Sequence, residues 1–418
     1  MQHHTSHSIT INLIAAALCS TSLLSASAFA QSCPSGSGGN IFNLSLCVDG
    51  EVASIGGNTI EGILDQIDTD ALKQRFANYD EDTAAGEFRL DLRGLPVTLS
   101  YGQNSSQLVF AVPSIGINEV FDGGTRDASN DLLEDYIKKN GDSILKKLTE
   151  VSPIDPVAGN PASLQSQMAA GDFSAGVDAV TDTLAPGSSF GVAARFGSYT
   201  IDGLTQNIFT LPISYSYTFA NYDRLIVRAP ITYMEVDGAE SYQGSIGLGY
   251  RKNILPNWSV TPAINYGITG SADLGAAGQI FSASVTSDLL LFASDKFRIN
   301  MGNMAGYYLS IPTSVSDYSV DYDLENTMVR NGLLVSMPLQ KSFWNREFSV
   351  DFFVTDTRFF GDALYSEYYQ EIGISIGPMR SRSKMEPNVS SHPFGLGIKY
   401  TTGDGDVEGF ELNFAYRF

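Results

Sequence analysis

Phe410-Glu411-Leu412-Asn413-Phe414-Ala415-Tyr416-Arg417-Phe418 ends the chain, with a large apolar side chain at every second position. A period of two belongs to a β-strand, whose successive side chains point to opposite faces. Reading back from this segment, the same period persists as far as Phe190. Phe394, Leu396, Ile398 and Tyr400 alternate before it, and Tyr368, Ile372, Ile374 and Ile376 before those. Phe348, Val350, Phe352 and Val354 form an earlier set. Further back, Phe209, Leu211, Ile213, Tyr215, Tyr217 and Phe219 alternate with Ser214, Ser216 and Thr218. With a weaker first strand near Phe190 to Thr200, the pattern predicts about twelve antiparallel strands.

A soluble β-sandwich would alternate too. Four features favour a closed barrel in a lipid bilayer. Many segments run ten or more residues, the ~9–11 a tilted strand needs to cross a membrane. The count is even. Aromatic residues collect near strand ends, as at Tyr217 and Phe219, Tyr250, Trp258, Tyr307 and Tyr308, and Phe359 and Phe360. The alternate faces carry Gly, Ser, Thr and Asn rather than a second core. Residues 190–418 are therefore expected to form a transmembrane β-barrel, in a chain that is mainly β.

The first half reads differently. An apolar run from Ile11 to Leu18 followed by Ala28-Phe29-Ala30 has the form of a secretory leader over residues 1–30, too short for a transmembrane anchor. Cys33 and Cys47 then remain, and in an exported chain they predict one disulfide. Closing so short a loop stabilises by about 3 kcal/mol. Residues 31–150 read as a small α+β domain. Ile60, Ile63, Leu64 and Ile67 recur at helical spacing, three alternating strands follow around Phe88, Val97 and Leu108, and a helix from Ser129 to Leu148 is interrupted at Gly141. Within residues 151–189, Val151 to Asn160 is a Pro-punctuated linker. Pro161 to Ala185 is a small-residue helix opening on Asn160-Pro161. Such a helix either serves as a flexible tether or fits a narrow space, and the lumen of the barrel is the space on offer.

The formal net charge is −21, which speaks against nucleic-acid binding. If the C-terminus marks the periplasmic side, the outward loops collect the acids, among them Asp202, Asp237, Asp273, Asp317, Asp321, Asp323, Asp362, Asp404 and Asp406. The periplasmic turns collect the bases, among them Arg224, Arg251, Lys252 and Lys341. Solvation accounts for acidic loops. So does Ca or Mg bridging to anionic surface lipid, with Asp317, Asp321, Asp323, Asp404 and Asp406 as the candidate oxygen donors. No metal site or other cofactor is expected beyond that bridging. Outside the leader the only histidine is His392, beside Ser390 and Ser391, and neighbours in sequence cannot supply a spaced nucleophile and base. The chain is not expected to be an enzyme.

The terminal set Phe410, Leu412, Phe414, Tyr416 and Phe418 resembles the C-terminal targeting strand of bacterial outer-membrane proteins, which implies the barrel-assembly machinery as a partner. A small-residue helix at Pro161 to Ala185, a first strand at Phe190 to Thr200 and a last strand at Phe410 to Phe418 together resemble the translocator domain of autotransporters. The resemblance covers somewhat over half the chain. It implies a helix threading the lumen, a monomer in the outer membrane among lipid and lipopolysaccharide, and an N-terminal domain displayed or tethered at the cell surface. The sequence departs from that family in having no long repeat-rich passenger. A second resemblance, to plugged channels for small or hydrophobic solutes, rests on Asn160-Pro161-Ala162 and Phe173-Ser174-Ala175-Gly176.

Overall fold

The computed structural model describes residues 33, 39–67, 69–177, 186–315, 318–343, 346–378 and 394–417. The expected leader, Asp317, Lys341's side chain, Ser390 to His392 and Phe418 lie outside the described residues.

The N-terminal domain is an antiparallel sheet of β1 (Phe42–Val48), β2 (Glu51–Gly57), β3 (Gly86–Leu92), β4 (Leu95–Tyr101), β5 (Gln107–Val112) and β6 (Ile117–Asp122) in the order β2-β1-β3-β4-β5-β6. Its helices are α1 (Ile60–Leu64), α2 (Thr69–Arg75), α3 (Arg126–Asn140) and α4 (Asp142–Val151). The sequence pattern anticipates β3 to β5 but not β1, β2 or β6. β2 and β6 are sheet edges with largely exposed side chains, so alternation there is weak. β1 is buried on both faces, down to Asn43 and Ser45, so its polar positions are no guide to solvent. Thr125 caps α3 by accepting from Ala128 N, which starts the helix ahead of Ser129. The chain breaks helix at Gly141, as its sequence implies, and Cys33 is bonded to Cys47.

The larger sheet contains β7 (Gly187–Ile201), β8 (Leu204–Leu211), β9 (Ile213–Thr218), β10 (Arg224–Arg228), β11 (Ile231–Val236), β12 (Ala239–Leu255), β13 (Trp258–Ser271), β14 (Ala276–Ala293) and β15 (Arg298–Ser310). After the small loop hairpin β16 (Thr313–Val315) and β17 (Tyr318–Val320) come β18 (Glu325–Phe343), β19 (Arg346–Gly361), β20 (Tyr368–Pro378), β21 (Phe394–Gly403) and β22 (Val407–Arg417). β8 and β9 are one stave interrupted at Pro212, and β10 and β11 one interrupted at Pro230, because proline has no N–H to give to a ladder. Twelve staves result, and β22 pairs antiparallel with β7 from Glu408↔Thr200 to Arg417↔Gly191, closing the barrel.

Two hairpins at the end opposite the C-terminus turn on Asp202-Gly203 and Asp237-Gly238, with φ of 49° and 79° and of 47° and 91°. Paired positive φ is the type I′ geometry that suits strand twist, and Asp-Gly is among its preferred sequences. Turn chemistry therefore accounts for two of the outward acids. This end is called the loop end below.

The segment that reads as a linker is buried. Ser152, Ile154, Asp155, Val157, Ala158, Ala162 and Ser163 are all completely enclosed. Irregular buried backbone must find partners, and the Asp and Asn residues of this strap provide them. Asp155 Oδ1 accepts from Val157 N at 2.9 Å, Asn160 Nδ2 donates to Asp155 O at 2.8 Å, and Asn160 Oδ1 accepts from Ala162 N at 3.0 Å. The following helix α5 is described over Leu164–Val177, starting three residues beyond the Pro161 expected from sequence because Pro161 and Ala162 complete this turn, and residues 178–185 of the expected helix lie outside the described residues.

Candidate functional site

The outward face of the barrel is apolar around its circumference. Ile246, Ile372 and Phe410 are 58%, 61% and 59% exposed, while the inward Thr261, Ser282 and Thr401 are at most 1% exposed. Soluble monomers rarely expose more than a few hundred Å² of contiguous apolar surface. Aromatic residues border the belt at both ends: Tyr233, Tyr242, Tyr307, Phe360 and Tyr368 toward the loop end, and Tyr217, Phe219, Tyr222, Phe292 and Phe297 toward the other. Such girdles mark the two lipid–water boundaries. This is a membrane-spanning β-barrel. The adjacent aromatic pairs divide as period two requires, with Tyr307 and Phe360 facing out and Tyr308 and Phe359 buried within. Tyr308 and Phe359 are thus not girdle residues.

The N-terminal domain sits on the loop end. Ile60 N donates to Asp273 O at 2.8 Å, Asn58 Nδ2 to Asp237 O at 3.0 Å, and Lys146 Nζ lies 3.3 Å from Asp323 and 2.8 Å from Asp362. Tyr199, Ile201, Ile208, Met234, Val236 and Val407 from the barrel rim belong to the same apolar core as the domain's own sheet. The strap runs between the two bodies. Arg93 of the domain pairs with Asp155 at 3.0 Å, both at most 1% exposed, and Gln206 Nε2 of the barrel donates to Pro153 O at 2.8 Å. Burial pushes the Asp155 carboxyl up against the opposing pull of Arg93. Burial lowers the Lys146 value, but the Asp362 and Asp323 carboxylates together outweigh it and raise it.

Of the loop acids expected to hold a cation, Asp321, Asp323 and Asp404 have partners within the chain. Asp323 and Asp362 hold Lys146, Asp321 Oδ1 accepts from Ser310 Oγ and Asp323 N, and Asp404 accepts from Gly405 N. Asp406 sits at a turn with φ of 55°. Among the described residues no group of three or more His, Cys, Asp or Glu is placed to hold a metal ion.

Inside the barrel α5 packs along β12, β13, β14 and β15. Small residues on the wall make the approach possible. A Cβ on Gly267 would come 2.7 Å from Met168 Sδ, and one on Gly302 would come 2.5 Å from Val177 Cγ1. Asp172 of α5 pairs with Arg228, and Tyr308 Oη donates to its other oxygen at 3.4 Å. The Phe173 ring lies 5.1 Å from the Arg330 guanidinium.

From Arg330 a chain of charges crosses the opposite wall. Arg330 pairs with Glu371, Lys399 Nζ lies 2.6 Å from Glu371 and 3.3 Å from Glu411, and Tyr199 Oη donates to Glu411 at 3.3 Å across the β22–β7 seam. Arg251 and Asp288 form a further lumen pair at 2.6 Å. Between α5 and this wall lies a cavity of about 380 Å³, lined in part by Arg195, Arg330, Glu371, Lys399 and Glu411.

The sequence pattern assigns charge only to loops and turns, and the lumen network corrects this. Arg251 and Arg224, read as turn residues, are 4% and 5% exposed, and Arg251 points into the barrel. The available signal was a lone charge on the small-residue face of a strand, as at Lys399 between Ile398 and Tyr400.

No family model matches the sequence, and no curated protein matches it. Among solved structures, the β-domain of the Bordetella autotransporter BrkA is 12% identical, over 55% of this chain and 98% of that one, with a TM-score of 0.43. The translocator domain of the autotransporter NalP from Neisseria meningitidis is 10% identical, over 61% and 95%, with a TM-score of 0.41. The KdgM porin is 10% identical, over 54% and 99%, with a TM-score of 0.32.

Proposed function

We propose that this chain is an outer-membrane β-barrel that tethers its own N-terminal domain at the cell surface, seated as a cap on the outward mouth. The observation that carries the reading is the core shared between that domain and the rim at the loop end, together with a helix leading from the cap down inside the barrel toward β7. The strap and helix make the domain part of the closed barrel. Outer-membrane lipid and lipopolysaccharide surround the apolar belt. An epitope inserted between Gln103 and Asn104, in an exposed turn of the domain, tests the orientation. Antibody is expected to reach it on intact cells. A tag reached only after the outer membrane is broken would put the cap in the periplasm and end the reading.

A second reading, a solute channel, draws on one observation, the cavity beside α5 with Arg330, Glu371 and Lys399 in its lining. It predicts steady ion current through the intact chain in a planar bilayer. The tethered-cap reading predicts little.

A further inference from the structure

The lumen changes character along its length. Val157 and Ala158 of the strap, with Leu164, Met168 and Ala169 from the first turns of α5, share a closed apolar cluster with Tyr308, Tyr322, Met328 and Leu364, all at most 5% exposed. These barrel residues lie in the loop-end turns or close to the loop end of their strands. Below them α5 packs closest on β12 to β15 and leaves the 380 Å³ cavity toward β18 to β22. That volume holds on the order of ten waters. Arg330 Nε and Asn300 Oδ1 belong to cavity-lining residues 6% and 8% exposed, and neither atom has a hydrogen-bond partner among the described residues. Buried polar atoms without protein partners take water when there is room for it.

We infer that the barrel is sealed at the loop end by the strap together with the first turns of α5, and that the lumen beneath is a hydrated vestibule reached only from the C-terminal side. This rests on the membrane-barrel reading above. The strap and the first turns of α5 carry the seal because their side chains form the water-excluding cluster at the loop end, whereas further along α5 leaves space toward β18 to β22. The Asp172–Arg228 pair anchors α5 beyond these turns.

The test uses the full chain reconstituted in lipid vesicles, with Asn413→Cys in the cavity wall and a charged, membrane-impermeant thiol reagent added to one side at a time. Labelling is expected at least about tenfold faster from the C-terminal side than from the loop side. Adding Val157→Asp, or Val157→Ser if the first does not insert, is expected to remove that asymmetry and to raise the bilayer conductance. Adding Asp172→Asn is expected to leave both unchanged. Equal labelling from both sides without further substitution would mean there is no seal, and none from either side would mean there is no vestibule. If Asp172→Asn alone removes the asymmetry, or neither Val157 variant changes it, the strap and the first turns of α5 are not the seal. Failure of the barrel reading shows separately, as protein extracted from the vesicles by carbonate with no heat-modifiable folded band.

Discussion

On β18, Met328 faces the apolar cluster under the strap, and two residues further along the same inward face Arg330 joins the charge network. On β20, Tyr369 and Glu371 repeat the step. Two strand residues span about 7 Å, so the lumen passes from apolar to charged within one side-chain layer on at least two strands. The upper layer is held by close packing and exclusion of water. The lower one is held by ion pairs beside a space large enough for water. Packing tolerates small losses of volume by partial collapse, whereas a buried ion pair that loses one partner leaves an uncompensated charge. The two layers should therefore respond differently to small changes.

The largest effect is expected in the charged layer. Glu371→Gln keeps the shape but leaves Arg330 and Lys399 with only Glu411 between them, a loss of about 4 kcal/mol. It is read as a lower urea midpoint for the heat-modifiable folded band. A midpoint unchanged from the native chain would mean that water already screens the network. In the apolar layer Leu364→Ala should cost about 3 kcal/mol by the same assay. If it proves the more damaging of the two, the contrast between the layers is reversed.

The smallest effect concerns the cap. The neighbouring carboxylates raise Lys146 above its ordinary 10.5, so its contribution is fully present below that value and is lost as pH rises through the raised one. Asp155 and Asp142 are raised above 3.8, chiefly by burial. Their ionised forms carry the cost, which falls away as pH drops through their raised values. Docking of the cap should hold or tighten in acid and loosen only in strong alkali, measured as protease access to the N-terminal domain. Lys146→Met should abolish the alkaline change. The pair is about one-third exposed on the lysine side, so only a modest shift in cleavage rate is expected. Release of the cap in mild acid would show that other carboxylates govern its docking.

The barrel was legible from alternation because a strand has two faces and only one of them met lipid. Ile246, Ile264 and Ile372 could be assigned outward from sequence alone. The same rule split Tyr307 from Tyr308 and Phe359 from Phe360, although clustering by composition had grouped them. The lumen charges were harder to read. Lys399 or Glu411 on a small-residue face marks an inward ionised group, but its partner lies on another strand, and register decides the pair.

Legible along the chain were the period of the barrel strands and of β3 to β5, a count of about twelve staves and the break at Gly141, since each follows from nearby residues, and the cysteine count and exported context gave the disulfide. The setting of residues 152–163 came from long-range packing instead. Pro, Asp, Asn and Gly give that segment the composition of an exposed linker, because composition reports which turns a backbone can make. Whether water or protein surrounds those turns depends on two bodies distant in sequence, the sheet from Phe42 to Asp122 and the rim of the barrel, closing over it. Asp155 and Asn160 bond their own backbone in either setting. Burial by Arg93 on one side and Gln206 on the other turns a flexible-looking strap into a fixed part of the mouth.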